Sequence, residues 1–148
     1  MSASSFTVRA YRDGDRDPVV ALWSACNLLV PWNDPVADIE LCRANTNSLL
    51  LIGQEDGSVV ASTMVGHDGH RGWLYYVAVD PERRRRGYGR RMVKAAEGWL
   101  AERNLPKAQL MVRSTNTTVA EFYRRLGYET GALVVMQHWL IDPPAKVS

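Results

Sequence analysis

Nine residues, Arg83-Arg84-Arg85-Arg86-Gly87-Tyr88-Gly89-Arg90-Arg91, concentrate cationic side chains around two glycines, and their chemistry is that of an anion site. The apolar stretch Trp73 to Val79 precedes them and is stopped by Asp80-Pro81, so a strand leads into the cluster. From Tyr88 onward Met92, Ala96, Trp99, Leu100 and Arg103 recur every three or four residues, so a helix leads out. Free amides at a helix start carry partial positive charge and favour acidic neighbours. Here the neighbours are arginines, and glycines supply bare backbone, which suits a polyanion such as a phosphate. Arginine runs are also common as plain solvated surface, and that reading stands beside the first.

A second constellation lies downstream in Asn116-Thr117-Thr118-Val119-Ala120-Glu121-Phe122-Tyr123-Arg124-Arg125-Leu126-Gly127-Tyr128. Val119, Phe122 and Leu126 share one helical face, and Gly127 suits a left-handed helix end. Either Asn116 or Thr118 with Glu121 has capping chemistry. Tyr123, an aromatic at helical spacing, reads from the residues alone as part of the core.

These residues need a frame, and the rest of the chain predicts one. Alternation over Phe6 to Tyr11 predicts a strand. Asp17 with Pro18 at the first helical position opens a helix through Val19, Leu22, Trp23 and Cys26. Pro31-Trp32-Asn33-Asp34-Pro35 breaks the helical region, and a second helix runs from Pro35 to about Cys42. Ser48 to Gln54 and Val59 to about Gly66 flank the Asp56-Gly57 hairpin signal, and Asp68-Gly69-His70-Arg71-Gly72 turns into Trp73–Val79. A short strand over Ala108 to Val112 and a closing strand over Leu133 to Leu140 complete an α/β (α+β) pattern in one domain spanning 1–148, with loose ends at about 1–5 and 142–148.

Composition excludes several classes. With 18 Lys and Arg against 16 Asp and Glu, the formal charge of +2 argues against a general nucleic-acid binder. No apolar run approaches a membrane span of about 18 residues, and Met1 to Asp15 lacks secretory patterning, so a cytoplasmic location is expected. Cys26 and Cys42 form no metal or disulfide pattern, and no metal is expected.

The element order, with two motifs on the expected elements, resembles the GCN5-related N-acetyltransferases (GNAT) over nearly the whole chain. The family's loop, Arg or Gln, two residues, Gly, one residue, Gly or Ala, is matched by Arg84-Arg85-Arg86-Gly87-Tyr88-Gly89. Its Asn followed seven residues later by Tyr and then Leu-Gly-Phe/Tyr is matched by Asn116, Tyr123 and Leu126-Gly127-Tyr128. Pro31-Trp32-Asn33-Asp34-Pro35 and Gly66 to Gly72 are similar to the small bacterial YpeA-type acetyltransferases.

The resemblance implies a mixed central sheet flanked by helices, and acetyl-coenzyme A as cosubstrate. Its pyrophosphate would meet the amides of Arg85, Arg86, Gly87, Tyr88, Gly89 and Arg90, following Arg84, with Asn116 as a side-chain anchor. The pantetheine arm would pair along Val77, Ala78 and Val79. Tyr123 would protonate the departing thiolate. The usual glutamates are absent, since Tyr75, Tyr76 and Met111 hold the matching places, which leaves Asp34, Asp68, His70 or solvent as the base. Trp32, Asn33, Asp34, Asp68, His70 and Tyr76 would face a small-molecule or peptide amine acceptor. A catalytically silent acetyl-coenzyme A sensor is the alternative. A homodimer is expected on the general frequency of symmetric assemblies.

Overall fold

The computed structural model describes residues 5–143, so most of the loose ends expected at 1–5 and 142–148 lies outside the described residues. In chain order the elements are β1 (Phe6–Ala10), α1 (Arg16–Ala25), α2 (Pro35–Ala44), β2 (Ser48–Glu55), β3 (Ser58–His67), β4 (Gly72–Val79), a 3-10 turn (Pro81–Arg83), α3 (Tyr88–Glu102), β5 (Ala108–Leu110) and α4 (Thr117–Arg125). They build a single α/β domain on a five-stranded sheet of order β1-β2-β3-β4-β5.

Local chemistry accounts for most of these boundaries. Asp56 and Gly57 both take positive φ, 48° and 86°, which is the backbone a two-residue hairpin needs to follow strand twist. Asp34 caps α2 by accepting from the amides of Val36 and Ala37 at 3.0 and 3.1 Å, with Pro35 at the first position. At α4 the cap is Asn116, whose side chain accepts from the Val119 amide at 3.2 Å. α1 begins at Arg16 rather than from an Asp17 cap, because the chain is fixed one turn earlier: Asp15 binds the Arg9 guanidinium at 2.7 and 3.0 Å and the Arg12 amide at 2.9 Å.

Helices cover both faces of the sheet. α3 and α4 pack Tyr88, Met92, Val93, Ala96, Leu100 and Tyr123 against Leu51, Val60, Val65 and Leu74 on one face. On the other, α1 and α2 pack Val19, Leu22, Trp23, Ile39 and Cys42 against Leu50, Ile52 and Ala78. β1 to β4 are antiparallel, whereas β4 meets β5 in parallel and only from Gly72 to Leu74. Beyond Leu74 the two strands part, so Tyr75 to Val79 have β3 on one flank and no strand on the other.

Two expectations are corrected here. β5 ends at Leu110 rather than Val112. No strand forms over Leu133 to Leu140: the segment has the apolar residues of a strand but no pairing neighbour among the described residues, and Leu133, Val134, Met136 and Leu140 are 76–91% exposed.

Candidate functional site

The arginine-glycine turn joins β4 to α3, and a buried carboxylate shapes it. Glu55, at the end of β2, accepts from Arg83 Nε at 3.2 Å, from Arg86 Nη1 at 3.2 Å and from the Tyr88 hydroxyl. These donors, Tyr88 foremost, hold the Glu55 carboxyl below the usual range. Tyr88 also stacks on Phe6 at 3.9 Å between ring centroids. Arg83, Arg86 and Tyr88 thus brace the turn with their side chains, while Arg84, Arg85 and Arg90 stay exposed. Sequence reading assigned no role to Glu55, because its partners lie some thirty residues away in the chain.

The two glycines serve different ends. Gly87 takes φ +80° and Arg85 φ +67°, the left-handed conformations that fold the backbone into a concave turn. A Cβ at Gly87 would meet nothing within 4 Å, so the turn faces open space. A Cβ at Gly89 would come within 3.1 Å of the Phe122 ring, so this glycine admits α4 against α3. No side chain caps α3, and its first turn holds no acidic residue. The first internal helical bond runs from the Arg91 amide to the Gly87 carbonyl at 3.1 Å, leaving the Tyr88, Gly89 and Arg90 amides ahead of it without helical acceptors.

At the place where β4 and β5 part, β4 carries one extra residue against β3. Ser62 faces Ala78 and Met64 faces Tyr75, so two steps on β3 match three on β4. Tyr76 sits in this bulge with φ +51°, an uncommon value for a residue with a side chain. Three contacts hold it there. Its ring stacks on the fully buried Trp23 at 3.8 Å, and its carbonyl accepts from Ser62 Oγ at 2.8 Å. Trp23 Nε1 in turn donates to Ser62 Oγ at 2.8 Å. The third contact is its hydroxyl, which donates to Asp38 Oδ2 of α2 at 2.6 Å. Burial, followed by the Asp38 hydrogen bond, pushes the Tyr76 hydroxyl far up, so it remains a donor. Asp38 escaped sequence reading as an ordinary acidic residue in a first helical turn.

Tyr123 projects from α4 into the core with 8% of its surface exposed and meets Phe122 and Tyr128 edge-on. Burial alone pushes its hydroxyl up to about 12. Among the described residues its hydroxyl has no hydrogen-bond partner. Asn116 accepts the Val119 amide on Oδ1 for its helix cap, which leaves its amide nitrogen free to donate to another partner. Val77 and Val79 are half-buried on the open stretch of β4, and Ala78 is buried against α1 and α2. The Cys26 thiol donates to the Val79 carbonyl at 3.2 Å.

The acceptor-side expectations separate spatially. Trp32 has the Arg113 guanidinium 5.5 Å from its ring centroid, which brings the α1–α2 connection to the chain just beyond β5. Asp34 is engaged as the α2 cap, and Asn33 is exposed beside it. Asp68 accepts from the His70 and Arg71 amides at 2.9 and 2.8 Å, closing the β3–β4 turn at the opposite end of β4 from the arginines. His70 is exposed on that turn. A groove of about 570 Å³ between α1 and the β2–β3 hairpin reaches Asp80 just past β4, and Arg9 and Asp15 in it neutralise each other.

A family model described as the acetyltransferase (GNAT) family matches residues 16–128. The chain belongs to the GNAT acetyltransferases. Relatives by sequence are bacterial members: an acetyltransferase of Pectobacterium atrosepticum is 40% identical over 91% of this chain and 96% of its own. One of Yersinia enterocolitica is 39% identical over 90% and 95%. GNAT structures share the fold at low identity. An aminoglycoside N-acetyltransferase in complex with CoA superposes with a TM-score of 0.80 at 16% identity, over 95% of this chain and 98% of that one. A putative acetyltransferase from Agrobacterium tumefaciens does so with 0.76 at 22%, over 90% and 99%. The activity is therefore acetyl transfer, and no helix among the described residues is long and apolar enough to cross a membrane.

Proposed function

We propose that this GNAT enzyme transfers the acetyl group of acetyl-coenzyme A to the primary amine of a small-molecule or peptide acceptor by direct attack, without a metal. The observation that carries this reading is the unpaired flank of β4 from Tyr75 to Val79, which ends in the uncapped start of α3. The concave turn, its free amides and the exposed Arg84, Arg85 and Arg90 suit a pyrophosphate, and the amide nitrogen of Asn116 suits a further anchor. Val77, Ala78 and Val79 offer backbone to an extended arm. The cosubstrate, when bound, supplies an activated acetyl thioester.

The residues divide the remaining work. The bulge at Tyr76, braced by Trp23 and Ser62, turns a β4 amide out of the β3 ladder, where it can stabilise developing negative charge on the acyl oxygen. Asp38, oriented by Tyr76, draws the acceptor's ammonium and takes a proton from its nitrogen. Trp32 and Asn33 form the adjoining wall. Asp34 and Asp68 serve mainly as cap and turn, with His70 beside the latter. Tyr123 delivers its hydroxyl proton to the leaving sulfur and is reprotonated from solvent, while the nitrogen sheds two protons between ammonium and amide, one before attack and one after, both passing through Asp38 to solvent, so one proton is released net per amide formed. Burial pushes the thiols of Cys26 and Cys42 up, and neutral thiols are poor nucleophiles, which favours direct attack over an acetylated enzyme.

Calorimetric titration with acetyl-coenzyme A, using Gly87→Glu as the turn control, is the first test. Binding in the parent and loss in the control is expected. An amine panel with thiol-release detection follows, with Asp38→Asn as the acceptor-side variant. Binding without transfer to any amine would replace this reading with a silent sensor, and an unchanged kcat/KM in Asp38→Asn would remove Asp38 from it.

A further inference from the structure

Among the described residues four arginines stack on aromatic rings, and three of them also use the edge of the guanidinium. Arg43 over Tyr11 pairs with Asp13, Arg91 over Phe6 donates to the Phe6 carbonyl, and Arg103 over Trp99 donates to the Trp99 carbonyl. In each case the ring takes the flat face and an oxygen takes the edge. Arg113 lies 5.5 Å from the Trp32 ring centroid, and its edge has no hydrogen-bond or carboxylate partner among the described residues. A guanidinium placed this way keeps its planar fork of N–H donors turned outward, in the geometry that matches a carboxylate.

The fold puts that fork on the acceptor side of the sheet. Leu110 and Val112 pack into the core under α3 and α4, so Met111 and Arg113, which alternate with them, turn to the α1–α2 face. Leu74 pairs with Leu110, which brings Tyr75 beside Met111 where the strands part, and these two are 42% and 47% exposed. They make an open apolar floor. Trp32 stands two residues before the Asp34 cap of α2, and the Asp38 amide donates to the Asp34 carbonyl at 3.0 Å, one helical turn further on. The Asp38 carboxylate takes the Tyr76 hydroxyl on Oδ2, and its Oδ1 has no partner among the described residues. Residues 32–38 thus hold an anionic group at one end and, through Trp32, a cationic group at the other, on the order of 10 Å apart.

We infer that the acceptor is a zwitterion, an amino acid with an apolar side chain, whose ammonium meets Asp38, whose carboxylate meets Arg113 and whose side chain lies over Tyr75 and Met111. The inference rests on the acetyl-transfer reading and names its substrate class. One ion pair at each end, with the three bonds from the nitrogen to a carboxylate oxygen between them, covers roughly the span available. The nitrogen then lies beside the Tyr76 bulge. In the transfer its bond to the acyl carbon forms as the carbon–sulfur bond breaks, two protons leave the nitrogen, coenzyme A departs as the thiol and the carboxylate is unchanged. A diamine would set a second ammonium against Arg113, and an amino sugar would give that fork no charge to meet.

Thiol release from acetyl-coenzyme A, measured with leucine, methionine and phenylalanine, each beside its carboxamide, and with a diamine and an amino sugar, reads the preference. At least one amino acid should exceed its carboxamide in kcat/KM by about tenfold or more. The carboxamide has the less basic nitrogen and more neutral amine at working pH, so nitrogen reactivity alone favours the opposite order. Arg113→Gln should erase the preference through the KM of the acid, and Arg113→Lys should restore part of it. Arg113 is exposed, so both variants should melt like the parent and bind acetyl-coenzyme A with the parent's affinity. Carboxamides, diamine or amino sugar used as well as the acids, or a preference that Arg113→Gln leaves in place, would overturn this inference while the transfer reading stands. Acetylation of none of these amines or of a broader panel would overturn both.

Discussion

At the residue scale, Tyr123 and Thr63 show opposite uses of burial. Burial keeps the Tyr123 hydroxyl protonated up to about pH 12, so it holds a proton to deliver at any working pH. For Tyr123→Phe, kcat should fall by about 10²-fold or more, while calorimetry shows acetyl-coenzyme A affinity unchanged. An undiminished kcat would exclude the acid role. Thr63 Oγ1 is sealed from solvent with no partner among the described residues, and it sits on β3 beside the bulge. Removing an unpaired buried hydroxyl relieves its desolvation, so Thr63→Val should stabilise the fold by about 1 kcal/mol in urea titration.

At the scale of elements, caps and the bulge divide stability from function. Asp34→Ala should cost about 1 kcal/mol of stability, read by denaturant midpoint, because two α2 amides lose their acceptor. Acetyl-coenzyme A affinity should not follow, since that cap lies away from the α3 turn. Ser62→Ala is a different case. It strands the Trp23 indole N–H and the Tyr76 carbonyl in the core, at a cost of about 2 kcal/mol or more. It also frees the bulge, so kcat should drop further than the lost stability accounts for, with KM for acetyl-coenzyme A little changed. Equal kcat in a variant still folded at the assay temperature would show that the Ser62 brace has no part in catalysis.

Over the whole molecule, buried and half-buried tyrosines set the alkaline limit. The hydroxyls of Tyr76, Tyr123 and Tyr128 all lie above the ordinary value of 10, each chiefly through burial. The unfolded chain releases these protons first. Their contribution is therefore complete below about pH 10 and is lost as pH rises toward the folded values. The melting temperature should hold steady near neutrality and fall steeply above about pH 10, with tyrosinate absorbance appearing together with unfolding. On the acid side Asp15 and Glu55 lie below their ordinary 3.8 and 4.5, held mainly by Arg9 and by Tyr88, so their contribution is complete above those values and is lost as pH falls below them through the depressed folded values.

The sequence by itself determined the elements and the two motifs, because hairpin turns, helix caps and apolar periodicity act over a few residues. Asp56-Gly57, Asp34-Pro35 and the Gly87 turn were legible in that way, as was the expectation that Tyr123 and Asn116 share one helix. What only the tertiary structure decided is pairing across the chain. Glu55 reaches the arginine turn, Asp38 reaches Tyr76, and Ser62 locks the bulge, all through contacts between residues distant in sequence. The Leu133–Leu140 segment marks the same boundary: alternation gives strand chemistry, but a strand exists only where a neighbouring backbone supplies its hydrogen bonds, and among the described residues none does.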